Sequence, residues 1–330
     1  MTIGLLGDVM LGRQVARALD EGPAARVWSD ELAELCRSCD ALVCNLECCI
    51  SERGSETERI PGKPFFFRAP PAAAVEALAT VGTVAVSLAN NHALDYEEQA
   101  LLDTLDHLSA AGIATAGAGR DLDSARRGAL VEAGGRRVGL LAATDHPAEY
   151  AAGEEKAGVA YADLRSELPD WIGDELARLR GEADLVLAFP HWGPNMSTEP
   201  ARWQRKRAEE LIAAGADLVA GHSAHVFHGI GRIDGRPVLF DLGDALDDYR
   251  VDRKRRNDLG ILALWRPGGD PEIELVGLRL EYCETELARG KDADWIAARL
   301  EKACAELGTR LERTGEQRFA LTAGNGSGAL

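Results

Sequence analysis

The chain has 330 residues, 46% of them hydrophobic and 5% aromatic, which suits a large and mostly aliphatic core. Its 37 Lys and Arg against 54 Asp and Glu leave a net charge of −17. That balance argues against nucleic acid or an anionic membrane surface as partner, because both are bound by basic side chains that neutralise phosphates.

Residues 1–8 enter a strand pattern at once, without a basic or apolar leader segment. Nowhere do about 18 apolar residues run uncharged. No membrane anchor and a cytoplasmic location are therefore expected. Residues 2–7 read as the first strand, ending at Gly7-Asp8; 12–19 and 30–36 have helical spacing. Residues 41–44 form a second buried strand that exits on Asn45-Leu46-Glu47, and 48–70 reads as a long loop. A helix over 72–78 leads to a strand over 84–88, which runs into Ala89-Asn90-Asn91-His92. Residues 96–108 are helical, and Gly134-Gly135 joins 129–133 to 137–142 as a hairpin. After a loop over 144–160 and a helix over 167–179, the strand 184–189 exits on Pro190-His191-Trp192-Gly193.

The helix 202–213 precedes a short buried strand, 215–220, and then Gly221-His222-Ser223-Ala224-His225-Val226-Phe227-His228. Asp234-Gly235 marks a second hairpin, whose return strand 238–240 ends on Asp241-Leu242-Gly243-Asp244. Strands over 259–265 and 272–280 precede a helix over 290–313. One domain over 1–320 is expected, with a disordered tail over 321–330.

Five of the seven cysteines crowd together as Cys36, Cys39, Cys44, Cys48 and Cys49. Cys36-x-x-Cys39 lies in a helical pattern and no second such pair answers it, so these read as reduced structural thiols rather than a zinc or redox site.

Open α/β sheets bind ligands outside the carboxyl ends of their strands. The strand exits here supply Asp8, Glu47, Asn91, His191 and the pair His222 and His225, with Asp244 a further candidate. Each has a plainer reading alone. Asp8 could cap a helix, Glu47 could be a surface charge, and Asn90-Asn91 could be turn chemistry with His92 at the surface. Together they describe a site for a divalent metal, which neutral imidazoles and carboxylates suit. His222 and His225 stand close enough in sequence to share it. His228 reads as packing, His107 as part of an amphipathic helix, and His146 as a weak substrate-side candidate. Arg250, Arg253, Lys254, Arg255 and Arg256 form a dense basic run, either a solvated loop or a clamp for phosphate or carboxylate.

The motifs Gly7-Asp8-Val9-Met10-Leu11-Gly12-Arg13, Asn45-Leu46-Glu47, Asn90-Asn91-His92, His191-Trp192-Gly193, Gly221-His222-Ser223-Ala224-His225-Val226 and Leu242-Gly243-Asp244 follow one order over residues 1–265. With them the chain resembles the CapA family, the poly-γ-glutamate capsule biosynthesis proteins of the calcineurin-like metallophosphatase superfamily. The resemblance implies a four-layer α/β/β/α sandwich with two mixed sheets and one or two divalent ions (Mn, Zn, Fe, Ca or Mg). It implies Asp8, Glu47, Asn91, His191, His222 and His225 as ligands, with Glu47 bridging, and His92 protonating a leaving group. Asn45, Arg13, Trp192, Asp244 and Arg253 are the residues expected to face substrate. Two departures stand out: Met10 occupies a position where metallophosphatases carry a histidine, and Asn45-Leu46-Glu47 replaces their second aspartate motif. One firmly held ion, with a second weak or absent, fits both. Capsule-exporting members carry a membrane anchor.

The function expected is a metal-dependent hydrolase acting on a phosphoester or a γ-glutamyl or peptide bond of a small-molecule or peptide substrate. The alternative is a peptide epimerase that exchanges a Cα proton, with Asp8 and a loop histidine such as His225 as its acid/base pair. A third reading is a non-catalytic holder of an acidic polymer.

Overall fold

Two mixed β-sheets lie face to face in the computed structural model, which describes residues 1–322. The larger runs Arg310–Arg313, Arg318–Thr322, Ile273–Glu281, Leu259–Trp265, Ile3–Val9, Ala41–Leu46, Thr83–Ser87, Ala114–Ala116. Asp244–Leu246 also pairs with Ile3–Val9, and Glu284–Leu287 with Ile273–Glu281. The smaller runs Ile230–Ile233, Arg236–Leu239, Leu218–Ala220, Leu185–His191, Arg136–Thr144, Ala129–Ala133. In each sheet the central strands that lead to the candidate ligands are parallel; antiparallel strands extend one side of the larger sheet and both sides of the smaller. Ile3–Val9, Ala41–Leu46 and Leu185–His191 are buried at every position. That is why they read as continuous apolar runs rather than alternating ones.

Leu5 and Val43 of the larger sheet meet Leu187, Phe189 and Leu218 of the smaller in the central core. On the far side of the larger sheet, Leu6, Cys44 and Leu46 pack with Val15, Leu32, Ala77 and Leu101 of four helices, Arg13–Glu21, Asp30–Arg37, Pro71–Thr80 and Glu97–Ala110. On the far side of the smaller, Val186, Ala188 and Val219 pack with Ile172, Leu176, Ala208 and Leu211 of Asp170–Glu182 and Arg202–Ala213. The layers are therefore α/β/β/α, as expected. Each fully buried Leu, Ile or Val contributes roughly 1.5–3 kcal/mol.

Two glycines make the close approaches around the strand ends possible. A Cβ on Gly7 would sit 1.9 Å from Gly243 O, and one on Gly221 would sit 2.3 Å from Phe240 O. Any side chain there would drive apart the segments that carry Asp8, His222 and Asp244.

Several boundaries differ from expectation. The last helix ends at Ala305, not at residue 313. Gly308 takes φ 72°, and Arg310–Arg313 pairs antiparallel with Arg318–Thr322. A glycine in the left-handed region is the usual stop for a helix, and the charged Arg-Leu-Glu-Arg segment is a sheet edge. The expected helix over 167–179 starts at Asp170, because Pro169 bars the residue before it from helical geometry. The 48–70 loop is closed by a short parallel pairing of Cys49–Ile50 with Arg68–Ala69. The 144–160 loop contains the turn Ala148–Tyr150 and a pairing of Gly158–Val159 with Ala118–Gly119. Of the expected tail, Leu321 and Thr322 belong to a strand, and 323–330 lie outside the described residues. Among the described residues no helix is long and apolar enough to cross a membrane.

Candidate metal centre

Strand register gathers the acidic half of the site. Asp8 pairs in register with Asn45 on one side and with Asp244 on the other. Asn45 Nδ2 donates to Asp8 Oδ1 at 2.7 Å, and Asn90 Nδ2 donates to Asn45 Oδ1 at 3.0 Å and to Leu46 O at 2.8 Å. Glu47 follows its strand directly, its amide donating to Val9 O at 2.9 Å. The smaller sheet supplies the histidines. His191 ends its strand, His222 lies two residues beyond the parallel strand Leu218–Ala220, and the two bridge each other, His222 N donating to Pro190 O at 3.1 Å and Trp192 N to His222 O at 3.0 Å. The loop beyond is strained, with Ser223 at φ 114° and His225 at φ 59°. Such conformations cost about 1–3 kcal/mol each and persist where surrounding contacts over-determine them. Here Ser223 N donates to Asp8 Oδ2 at 3.1 Å, and Ala224 N to Asp241 Oδ2 at 2.9 Å.

Two groups of donor atoms result, and Asp8 belongs to both. In the first, Asp8, His191 and His222 converge. The Nδ1 atoms of His191 and His222 stand 2.9 Å apart, and lie 4.0 and 3.2 Å from Asp8 Oδ1. In the second, Asp8 and Asp244 flank His225, whose Nδ1 is 3.5 Å from Asp8 Oδ2 and 2.8 Å from Asp244 Oδ1, and Glu47 completes the set. These spacings match the edges of a coordination sphere whose donors sit about 2.0–2.2 Å from a central ion. Both carboxylate oxygens of Glu47, Asp244 Oδ2 and His222 Nε2 are buried without a hydrogen-bond partner. Buried polar atoms are rarely left so. The residues therefore fit a divalent cation.

Charge follows the same arrangement. Burial and then the Asp8 carboxylate push Glu47 well above the usual carboxylate range. Burial, followed by His222, holds His191 well below the usual imidazole value. Burial also opposes a charged His225, but Asp244, Glu47 and Asp8 together raise its pKa well above that value. Asp8 is lowered despite its burial, by the hydrogen bond and charge of His222 and by His225. The pocket is thus crowded with carboxylates that favour positive charge.

The other expected residues take different places. Asn91 Oδ1 lies 3.0 Å from His191 Nε2, the ring nitrogen opposite the one that faces Asp8. His92 is buried, stacked on Phe67 at 3.8 Å, with Nδ1 bound by Asp95 Oδ2 at 2.6 Å and Nε2 4.0 Å from Glu47 Oε1. Burial lowers its pKa to about 4. Glu47 lies in one group only, so Asp8 is the shared residue where Glu47 was expected. Asp244 sits among the candidate ligands rather than on a substrate face.

Asn45 is fully buried with both ends of its amide engaged, so it positions Asp8 instead of facing substrate. Trp192 is a correction too: it is 0% exposed, packs under the outer helices and donates to Phe240 O at 2.9 Å. Arg13 stands over Phe65 and Phe67 and pairs with Asp248 at 3.2 Å, behind the ring on which His92 stacks. Arg253 is exposed on the 250–256 loop and belongs to neither group. Asp8 caps no helix, since Gly12 occupies the N-cap of Arg13–Glu21. Met10 is buried, its sulfur accepting from Gly12 N at 3.1 Å.

His146 packs 5.2 Å from the His191 ring and is bound by Asp145. His107 lies on Glu97–Ala110 and His228 Nε2 donates to Ser197 O at 2.9 Å; neither joins a group. The cysteines are free, none is in either group, and burial raises Cys36, Cys44 and Cys48 to about 12. Sequence reasoning missed Asp95 and Lys63, which pair at 3.1 Å behind His92. Asp95 was findable, three residues beyond His92; Lys63 lay in the long loop with no signal.

A match to the family described as bacterial capsule synthesis protein PGA_cap covers residues 2–249. The chain is 32% identical over 299 residues to a Mycobacterium tuberculosis protein named probable polyglutamine synthesis accessory protein, covering 86% of this chain and 78% of that one. It is 26% identical over 261 residues to the PGA biosynthesis protein CapA of Bacillus subtilis, covering 78% and 66%. The solved NAD nucleotidase of Haemophilus influenzae overlaps 88% of this chain and 49% of its own, at 11% identity and a TM-score of 0.41. From the span of the family match and the level of identity, this chain belongs to the bacterial capsule synthesis protein PGA_cap family.

Proposed function

We propose that the chain is a metal-dependent hydrolase that cleaves a phosphoester or a γ-glutamyl or peptide bond. The convergence of two donor groups on Asp8, with buried and partnerless atoms on Glu47 and Asp244, carries this reading. Asp8, His191 and His222 would hold one divalent ion, and Asp8, Glu47, His225 and Asp244 a second. Such an ion supplies Lewis acidity and hydroxide at neutral pH. Asp95 fixes His92 by its Nδ1, which leaves Nε2 turned toward Glu47 as the ring's proton-accepting atom, able to hand a leaving group a proton that it has first taken up. Relatives named for polyglutamine synthesis and PGA biosynthesis support a glutamate-derived substrate.

Asp8 favours hydrolysis over epimerisation. Its Oδ1 accepts from Asn45 and lies against His222, its Oδ2 accepts from Ser223 N, and the neighbouring histidines lower its pKa, which suits an ionised ligand better than an acid that shuttles a Cα proton. The test is to load the protein with manganese or zinc and assay phosphoesters and γ-glutamyl peptides in D₂O. Cleavage should require metal. Asp8→Asn should weaken metal binding and recover most of its rate at saturating metal. If it instead loses the ~10²–10⁴-fold typical of an acid/base residue at saturation, and the wild type exchanges a Cα proton without cleavage, the epimerase reading replaces this one. Tight binding of an acidic polymer with neither reaction would leave a binding protein.

A further inference from the structure

We propose that a basic groove beside the metal centre binds a polyvalent anion, a chain that carries several carboxylates or phosphates. The groove is a cavity of about 1130 Å³ between Met196–Ala201 with the start of Arg202–Ala213 on one wall, and Lys254 and Arg255 on the other. Arg202, Arg205, Lys254 and Arg255 line it, against the single carboxylate of Glu199. Of the four cations, Arg255 is the one paired with a carboxylate among the described residues, Asp252 at 3.0 Å. A second cavity of about 410 Å³ shares Glu199 and Lys254 and extends the groove to Arg299 and Lys302 on the last helix, where Lys302 pairs with Glu306 at 3.9 Å. In a chain of net charge −17 this surface has the opposite sign.

Both walls are attached to the metal loop. Met196 N donates to Ala224 O at 2.8 Å, and Ser223 Oγ to Gly193 O at 3.3 Å. On the other side Arg299 donates to Arg255 O at 2.8 Å and to Phe227 O at 2.9 Å, while Tyr249 meets His225 edge-on at 5.2 Å. A ligand in the groove would therefore be held by walls that hydrogen-bond to the loop carrying His222 and His225. Guanidinium forks match carboxylate and phosphate equally well. A single exposed ion pair is worth little, so useful affinity here requires several charges on one molecule. This inference goes beyond the proposed hydrolysis and does not depend on it.

Binding is measured by fluorescence anisotropy with a short fluorescein-labelled oligoglutamate at low salt, and in a separate arm with tripolyphosphate by calorimetry. At least one probe should bind, and binding should weaken as salt screens the groove. The triple variant Arg202→Ala, Arg205→Ala, Lys254→Ala should bind about tenfold more weakly, the sum of three modest exposed pairs. Its thermal melt should be unchanged, since these are surface residues. Arg17→Ala, Arg120→Ala, Arg310→Ala removes the same charge outside the groove and should bind as the wild type does. Oligoglutamate binding alone assigns carboxylates to the groove, and tripolyphosphate binding alone assigns phosphates. No binding of either probe, or equal loss in both triple variants, overturns the proposal. Neither result would touch the hydrolase reading, which stands on metal-dependent cleavage.

Discussion

At the scale of single residues, position decides what a histidine does. His222 and His225 end on carboxylates at 3.2 and 2.8 Å, whereas His107 sits on a helix away from both donor groups. His222→Ala should therefore weaken metal binding by at least the 10–100-fold typical of losing even a supporting partner of a ligand. His107→Ala should retain its metal. Elemental analysis of the folded variants checks this. Equal loss in both would mean that unfolding was measured. The role of Asp244 was harder to read than that of His222, because aspartates are common at strand starts. Its meaning comes from register with Asp8, a pairing between segments more than two hundred residues apart.

At the scale of elements, the segment that follows the metal loop carries a group with a pH signature. His228 is buried, its Nε2 donates to Ser197 O and its Nδ1 has no partner. Burial lowers its pKa to about 4. In the unfolded chain its pKa is about 6.5, so between those values the unfolded state binds more protons. Stability should be fully present above pH ~6.5 and decline toward pH ~4, by on the order of 3 kcal/mol at most. Denaturant titrations of the metal-free protein at several pH values check this, and His228→Gln should lessen that slope by its own share, since His92 and His191 are lowered in the same direction. An unchanged slope in the variant would assign the acid sensitivity elsewhere.

At the scale of the whole molecule, the two sheets meet at their carboxyl ends over a set of buried acids. Asp8, Glu47, Asp241, Asp244 and Asp247 are all buried, and Glu47, Asp241 and Asp247 are pushed well above the carboxylate range, first by burial and then by the Asp8 or Asp244 carboxylate. A cation bound only by the folded state stabilises it by mass action, about 2.7 kcal/mol at a hundredfold excess over Kd. Thermal unfolding should shift upward by at least about 3 °C on adding manganese or zinc and fall back with chelator. No shift with either metal would argue against the site.

The parallel strands and the residues at their exits were legible in the sequence, because buried apolar runs and the polar residues that end them are local patterns. It also carried both hairpins, where Gly134-Gly135 and Asp234-Gly235 take the positive φ such turns require. Other features depend on contacts between distant segments and came from the fold. The edge strand Arg310–Arg313 reads locally as helix and the end of its neighbour Arg318–Thr322 as tail, since a strand gains its hydrogen bonds from partners and not from its own pattern. Trp192 follows His191, the last residue of its strand, and continues the alternation of faces, so it packs under the outer helices while His191 turns to the site. That Asp8, and not Glu47, joins both donor groups was settled where the ends of the two sheets face each other across the strained loop at Ser223 and His225.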